Sequence, residues 1–314
     1  MTKQKPLESP SGNSEQICGD PLTYKVIGLA MGVHTDLGPG LDEIFYHRLL
    51  AARLNSACIQ YQFKPRSELR YHDKVADIFE PDLVIPSQLV MELKAQRGGF
   101  TPECLTQLLS YLKFWKVSVG LLFDFAKERL IFQRVIYTES ELAPFPKADV
   151  PPFVCDISLA AALFHELEAI YRMHALGYRD TTYRGLLLAG LRTLGFACSD
   201  GPIVSVEELG PTRLRCIVVN EHCVLTISAL GDGLTAAQRA ITQNYLRLLK
   251  LPWGLEVHFG RHALEIQFVN QPVHHSRTAS TLAKTSKSKF LRRFSVGVEM
   301  NHRPFEPALD EYSI

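Results

Sequence analysis

The sequence predicts an α/β or α+β chain in which a mixed sheet flanked by helices occurs twice in tandem. Three observations carry this expectation. The 314 residues are enough for two domains of about 150 each. Apolar periodicity in the first half runs helix, helix, three or four strands, helix, strand, strand. The second half echoes that pattern, residue on residue, at nearly constant spacing. Composition agrees: 46% hydrophobic and 21% charged residues are ordinary for a soluble globular protein.

Residues 1–20 are polar and rich in Ser and Pro, and are expected to form a mobile tail. A first domain is expected over 21–142. It opens with a helix from Tyr24 that breaks at "LGPG" (37–40). A second helix follows, with Leu41, Ile44, Phe45, Leu49 and Ala52 on one stripe at helical spacing. "IQYQF" (59–63) reads as a short strand, and "PDLVI" and "LVMELK" as two strands around "IPSQ". After the loop "GGFTPE" (98–103) comes a helix with Leu105, Leu108, Leu109 and Leu112 facing inward. "VGLLFDF" (119–125) and "RLIFQRVIY" (129–137) complete the strand set. "APFPKADVPPF" (143–153) reads as a Pro-rich linker.

The echo spans 154–270. "EIFYHRLLAARL" (43–54) lies over "DTTYRGLLLAGL" (180–191) at an offset of 137, which puts Gly40 on Gly177 and Tyr46 on Tyr183. "YLKFWKVSVGLLFDFAKERLIFQRV" (111–135) lies ungapped over "YLRLLKLPWGLEVHFGRHALEIQFV" (245–269) at an offset of 134. Two blocks in the same order with nearly the same offset point to an internal duplication. Residues 271–314 turn polar and basic, and no packed domain is expected there.

Net charge is about +1, so a nucleic-acid role needs a local basic surface. No stretch has the length and apolarity of a transmembrane helix. The polar N-terminus, the seven scattered cysteines and the absence of C-x-x-C pairs predict reduced thiols and a cytoplasmic location. No Cys/His pair has zinc-ligand spacing on both sides, which argues against a zinc site.

Chemistry concentrates in "PDLVIPSQLVMELKA" (81–95). Side chains two apart on a strand share a face, so Glu92 and Lys94 point together and Leu93 enters the opposite layer. A hairpin partner brings Asp82 alongside. Adjacent carboxylates repel unless a divalent cation lies between them, and Mg²⁺ is held in this way. A nearby lysine can stabilise phosphorane charge, or orient and deprotonate the attacking water. The plainer alternative is an exposed strand face with Asp82 capping a turn.

Neighbouring motifs favour the first reading. "LGPGLDEIFYHRLL" carries Gly40, Glu43 and Tyr46 in G-x-x-E-x-x-Y spacing, and "ADIFEPDLVIPSQLVMELKA", "QLLSYLKFWKVSVGLLFDF" and "RVIY" follow in order. Over about 24–137 the chain resembles the GxxExxY protein family, a branch of the PD-(D/E)XK nuclease-like superfamily. The resemblance implies an α/β restriction-endonuclease-like core, with a mixed sheet flanked by helices. It implies a Mg²⁺- (or Mn²⁺-) dependent hydrolase acting on DNA or RNA, with Asp82 and Glu92 as metal ligands and Lys94 as catalytic lysine. It further implies Glu43 as an early helical acid and Gln107 as the helical glutamine near that lysine. Pro86 departs from the family's usual turn, where proline is tolerated. His34 and Tyr46 are accessory candidates, each weighed against a packing role; Tyr46 would orient Glu43 or fill core. Tyr111 reads as core, because Tyr245 repeats it.

The second copy keeps the apolar framework and loses the chemistry. Across from the hairpin lies "CIVVNEHCVLTISAL" (216–230). Ile217 is expected where Asp82 stands, allowing one deleted residue, with Thr226 for Glu92, Ser228 for Lys94 and Ile241 for Gln107. Only Glu43 keeps an acidic counterpart, Asp180. Glu221, His222 and Cys223 read as an exposed turn. The second copy is expected to be a pseudo-nuclease domain retained for packing or binding, as an intramolecular pseudodimer or in a homodimer. In the C-terminal run, Lys284, Lys287, Lys289, Arg292 and Arg293 are weak phosphate-contact candidates. The competing functional class is a non-catalytic nucleic-acid-binding or protein-interaction module of the same fold.

Overall fold

The computed structural model describes residues 21–95, 98–139, 141–206 and 210–271. The predicted tails and the basic run of Lys284, Lys287, Lys289, Arg292 and Arg293 lie outside them. No helix among the described residues is long and apolar enough to cross a membrane.

The first half begins with α1 (Pro21–Leu37) and α2 (Glu43–Ser56). Strands β1 (Gln62–Phe63), β2 (Ser67–Tyr71), β3 (Lys74–Phe79), β4 (Leu83–Ile85) and β5 (Leu89–Lys94) follow, then α3 (Pro102–Trp115), β6 (Val119–Asp124) and β7 (Ile131–Ile136). The second half runs α4 (Ile157–His174), α5 (Asp180–Thr193), β8 (Cys198–Asp200), β9 (Ile203–Val206), β10 (Gly210–Arg213), β11 (Ile217–Val219), β12 (Cys223–Ala229), α6 (Ala236–Leu249), β13 (Trp253–Phe259) and β14 (Leu264–Asn270).

The first sheet has the order β1-β4-β5-β6-β7 and is mixed. The β4–β5 hairpin is antiparallel, β5 and β6 are parallel across α3, and β7 returns antiparallel. A parallel pair needs a long crossover, and α3 supplies it. One sheet face packs Leu83, Met91, Leu93, Leu121 and Phe123 against α1 and α2. The other turns Val84, Val90 and Leu122 toward α3.

The second sheet, read from its other edge, is β8-β11-β12-β13-β14 with the same sequence of antiparallel and parallel pairings. Register agrees residue by residue. Val90 pairs with Gly120 and Val224 with Gly254; Leu83 pairs with Met91 and Ile217 with Leu225. Both hairpin turns contain three residues, so no deletion intervenes. Cys216, rather than Ile217, therefore takes the place of Asp82.

The helix entries match as well. The Tyr46 hydroxyl donates to Gly38 O at 2.7 Å and accepts from Leu41 N. The Tyr183 hydroxyl donates to Ala175 O at 2.6 Å and accepts from Tyr178 N. Each ring stacks on a strand-end phenylalanine, Phe125 or Phe259. Tyr46→Phe and Tyr183→Phe are each expected to cost about 1–2 kcal/mol, read by denaturant unfolding, because each strands a buried carbonyl and an N–H.

Three details differ from expectation. The buried stripe of α2 is Tyr46, Leu50 and Leu54 with His47, while Leu41, Ile44 and Phe45 are exposed. The packed face is set by α1 and by Phe125, which lie on the Tyr46 side. "IQYQF" pairs only at Gln62 and Phe63. The β2–β3 hairpin has no counterpart in the sequence reading. Its strands carry Glu68, Arg70, Lys74 and Asp77, so neither reads as an apolar run.

That hairpin joins the halves. Phe79, Tyr111 and Leu112 share one core with Leu163, Tyr183, Leu186 and Trp253. Asp77 accepts from Arg179 and Thr182 at the start of α5. Ser110 Oγ accepts from Arg179 N at 2.8 Å, and Lys113 Nζ donates to Leu176 O at 2.7 Å.

Near this junction the His174 ring lies edge-on to Tyr71, with Nε2 unbonded. Burial, and then the charge of Lys113, push its pKa down to about 4. The unfolded chain takes up the proton near pH 6.5, before the fold does. His174 therefore contributes stability that is complete above pH 6.5 and is lost as pH falls through about 4. The group is part-exposed, so we expect only about 1 kcal/mol of the loss by pH 5. The melting temperature of wild type should fall relative to that of His174→Phe as pH drops from 6.5 toward 4.

Candidate metal and catalytic site

Gly38 and Gly40, at φ +66° and +99°, turn the chain from α1 into α2. The turn places Glu43 in the first turn of α2, where the helix dipole favours an anion. His47 lies four residues on and shares that face. Asp82 sits at the mouth of the β4–β5 hairpin. Asp82, Glu92 and Lys94 share the α3 face of the sheet, because Leu83 and Leu93 enter the opposite core.

These elements converge. His47 Nε2 is 3.3 Å from Asp82 Oδ2 and 3.7 Å from Glu43 Oε1. One ligand atom each from Glu43, His47 and Asp82 lies within 4.8 Å of the others. Asp82 Oδ2 accepts from Leu93 N at 2.8 Å, and Lys64 Nζ stands 3.8 Å from Oδ1. Glu92, only 3% exposed, accepts from Lys94 Nζ at 2.7 Å.

The electrostatics are those of charges held out of water. Burial opposes ionisation of Asp82, but hydrogen bonding and charge from His47, the Leu93 N–H and Lys94 outweigh it and hold its pKa below the usual range. Burial, then the Asp82 charge, push Glu92 up to about 7 against the pull of Lys94. Burial alone would lower Lys94; Glu92 foremost, with Asp82 and Glu43, raises it, so Lys94 is an ammonium. His47 Nδ1 and Glu92 Oε2 are buried without a hydrogen-bond partner, and His47 Nε2 meets only the Asp82 and Glu43 carboxylates. Unbonded buried donors and acceptors of this kind are costly. A divalent cation would take one imidazole nitrogen and the Glu43 and Asp82 oxygens, so the residues fit one.

The structure brings together Glu43, Asp82, Glu92 and Lys94. Glu92 is committed to Lys94 and stands outside the three-residue ligand cluster. Gln107 Nε2 donates to Tyr111 Oη at 2.7 Å, and that hydroxyl donates to Glu80 O at 3.3 Å. Tyr46 does not orient Glu43; both its hydrogen bonds go to the loop that starts α2. His34 Nε2 bonds Lys127 O at 2.8 Å and packs beside Phe125.

Sequence reasoning missed His47 and Lys64. The signal for His47 was present, since E-x-x-x-H on a helix puts both side chains on one face. Lys64 carried none; it reaches Asp82 only because β1 pairs with β4.

Residues 20–135 match the family model of the PD-(D/E)XK nuclease superfamily. No curated protein matches the chain. Among solved structures, one titled "Crystal structure of SSO0001" is 16% identical over 37% of this chain and 58% of that one, with a TM-score of 0.25. The chain thus spans little more than half of that structure.

Proposed function

We propose that the first half is a divalent-metal-dependent nuclease acting on DNA or RNA. The single observation that carries this reading is the convergence of Glu43, His47 and Asp82 beside the Glu92–Lys94 pair, with buried donor atoms unsatisfied. The match of residues 20–135 to a nuclease superfamily supports it. Glu43, His47 and Asp82 would hold the cation. Carboxylates suit Mg²⁺ or Mn²⁺, and the imidazole favours Mn²⁺ over Mg²⁺.

When bound, the cation supplies charge neutralisation for the attacked phosphodiester. Glu92 holds the Lys94 ammonium at the site, where it donates to a phosphate oxygen as negative charge builds. Asp82 is pinned by the Leu93 N–H, so its carboxylate stays in place whether or not substrate is bound. Gln107, anchored by Tyr111, lies on the helix facing this side of the sheet and serves substrate placement.

The G-x-x-E-x-x-Y spacing of Gly40, Glu43 and Tyr46 supports kinship with the GxxExxY proteins in particular. The paired registers and the twin tyrosine loops support descent of both halves from one duplicated unit. The test is cleavage of mixed single- and double-stranded DNA and RNA by the full chain with Mg²⁺ or Mn²⁺. Cutting is expected to stop with chelator and with Lys94→Ala. Cutting that survives Lys94→Ala overturns the catalytic assignment.

A further inference from the structure

The second half lacks the acidic hairpin, and a cavity of ≈ 1230 Å³ lies on its corresponding sheet face, walled on one side by Lys74, Ala76, Pro102 and Thr106 of the first half. Thr226 and Ser228, at the register positions of Glu92 and Lys94, line it. On the adjoining strand Glu256 also lines it, paired in register with Thr226. The matching position of the first half is Leu122, a core residue. Glu256 is 1% exposed, and neither carboxylate oxygen makes a well-aligned hydrogen bond, although the Thr242 hydroxyl lies close enough to favour its charge. The second half has therefore gained a buried acid one strand away from the place where the first half carries one.

The rest of the wall is mixed in charge, with Lys74, Arg184, Arg192, Arg213 and Arg215 set against Glu103, Asp180 and Asp200. Lys74, Arg213 and Arg215 line the same cavity and are exposed. Arg184 and Arg213 are engaged with Asp200, which leaves Lys74 and Arg215 as the less committed cations. The cations outnumber these acids, and a phosphate is favoured beside Lys74 and Arg215. The volume exceeds the usual range for a drug-sized ligand, about 300–1,000 Å³.

From these features we infer that the second-half cavity binds a guanine nucleotide, free or within a single strand, with Glu256 accepting from the base and Arg215 and Lys74 taking its phosphate. A carboxylate with two unbonded oxygens asks for two adjacent N–H donors. Among the bases guanine alone offers them, on N1 and the 2-amino group; adenine and cytosine each present one amino group beside an acceptor nitrogen. Burial holds the Glu256 pKa above the usual range, so two donated hydrogen bonds relieve a cost that the empty fold carries.

The experiment is titration calorimetry of the full chain in excess chelator, which blocks cleavage. The probes are GMP, AMP, guanosine and two single strands of about 8 nucleotides, one all adenine and one containing guanines. GMP is expected to bind at least about tenfold more tightly than AMP, a difference of about 1.4 kcal/mol. Glu256→Gln should remove that preference with AMP binding kept and the melting temperature not lowered. Arg215→Ala should weaken GMP and leave guanosine unaffected. Binding of the guanine strand without GMP assigns the site to a strand, and tight GMP binding assigns it to the free nucleotide. Binding of neither overturns the inference, as does a guanine preference intact in Glu256→Gln. If Glu256→Gln does not fold, Arg215→Ala decides: equal losses for GMP, AMP and the all-adenine strand, with no guanine preference in wild type, overturn it.

Discussion

Asp82→Asn is expected to lower cleavage by about 10³-fold while the fold survives. The substitution is isosteric. Its side-chain oxygen still accepts from Leu93 N, so the hairpin mouth stays closed. What disappears is the charge that faces His47 and Lys64. Glu92 then loses the neighbour that, after burial, does most to raise its pKa, and ionises more readily. Loss of a charge that the fold favours is partly offset by the relief of Glu92, so the variant is predicted to be folded but no more stable than wild type in chelator, and to be nearly inactive in Mn²⁺. Steady-state cleavage and thermal unfolding of the same preparation check both parts. A loss of activity accompanied by an equal loss of folded protein would assign Asp82 to structure alone.

Gly185→Ala is expected to destabilise the chain by about 3 kcal/mol, the upper end for an overpacked site. In an exposed helix the same change stabilises by up to about 1 kcal/mol. Here the sign reverses, because a Cβ at Gly185 would lie 1.9 Å from the carbonyl oxygen of Ala76. That oxygen belongs to β3, and neither α5 nor the hairpin can retreat without opening the core the halves share. Gly28→Ala is the control. It lies in α1 with nothing within 4 Å of the added carbon, and should be neutral or stabilising. Denaturant midpoints of the two variants measure the contact between the halves directly. Equal midpoints would mean that the hairpin and α5 are not packed together.

The legible parts of the fold were those specified by local pattern. The β4–β5 hairpin, α3 and the β6–β7 pair are apolar runs with turn residues between them, and their boundaries follow from that. The second sheet was legible because its register repeats the first at an offset of 134. The β2–β3 hairpin was not, since its buried face exists only where α5, about a hundred residues later, covers it. The α2 stripe was misplaced for a related reason: Ile44 and Phe45 are as apolar as Leu50, and only α1 and Phe125 decide which side is covered. At the site, Asp82, Glu92 and Lys94 could be grouped because a two-residue strand period and one hairpin relate them. His47 completes the group through a helix that sequence spacing alone does not dock against the hairpin.

The central claim is that Glu43, His47 and Asp82 form a divalent-cation site. Calorimetric titration of Mn²⁺ into the full chain tests it most directly, with no substrate and no dependence on turnover. Wild type is predicted to bind the ion saturably, with affinity reduced at least about tenfold in both Asp82→Asn and His47→Gln, or about 1.4 kcal/mol each. Isotherms that are the same for wild type and both variants would contradict the account.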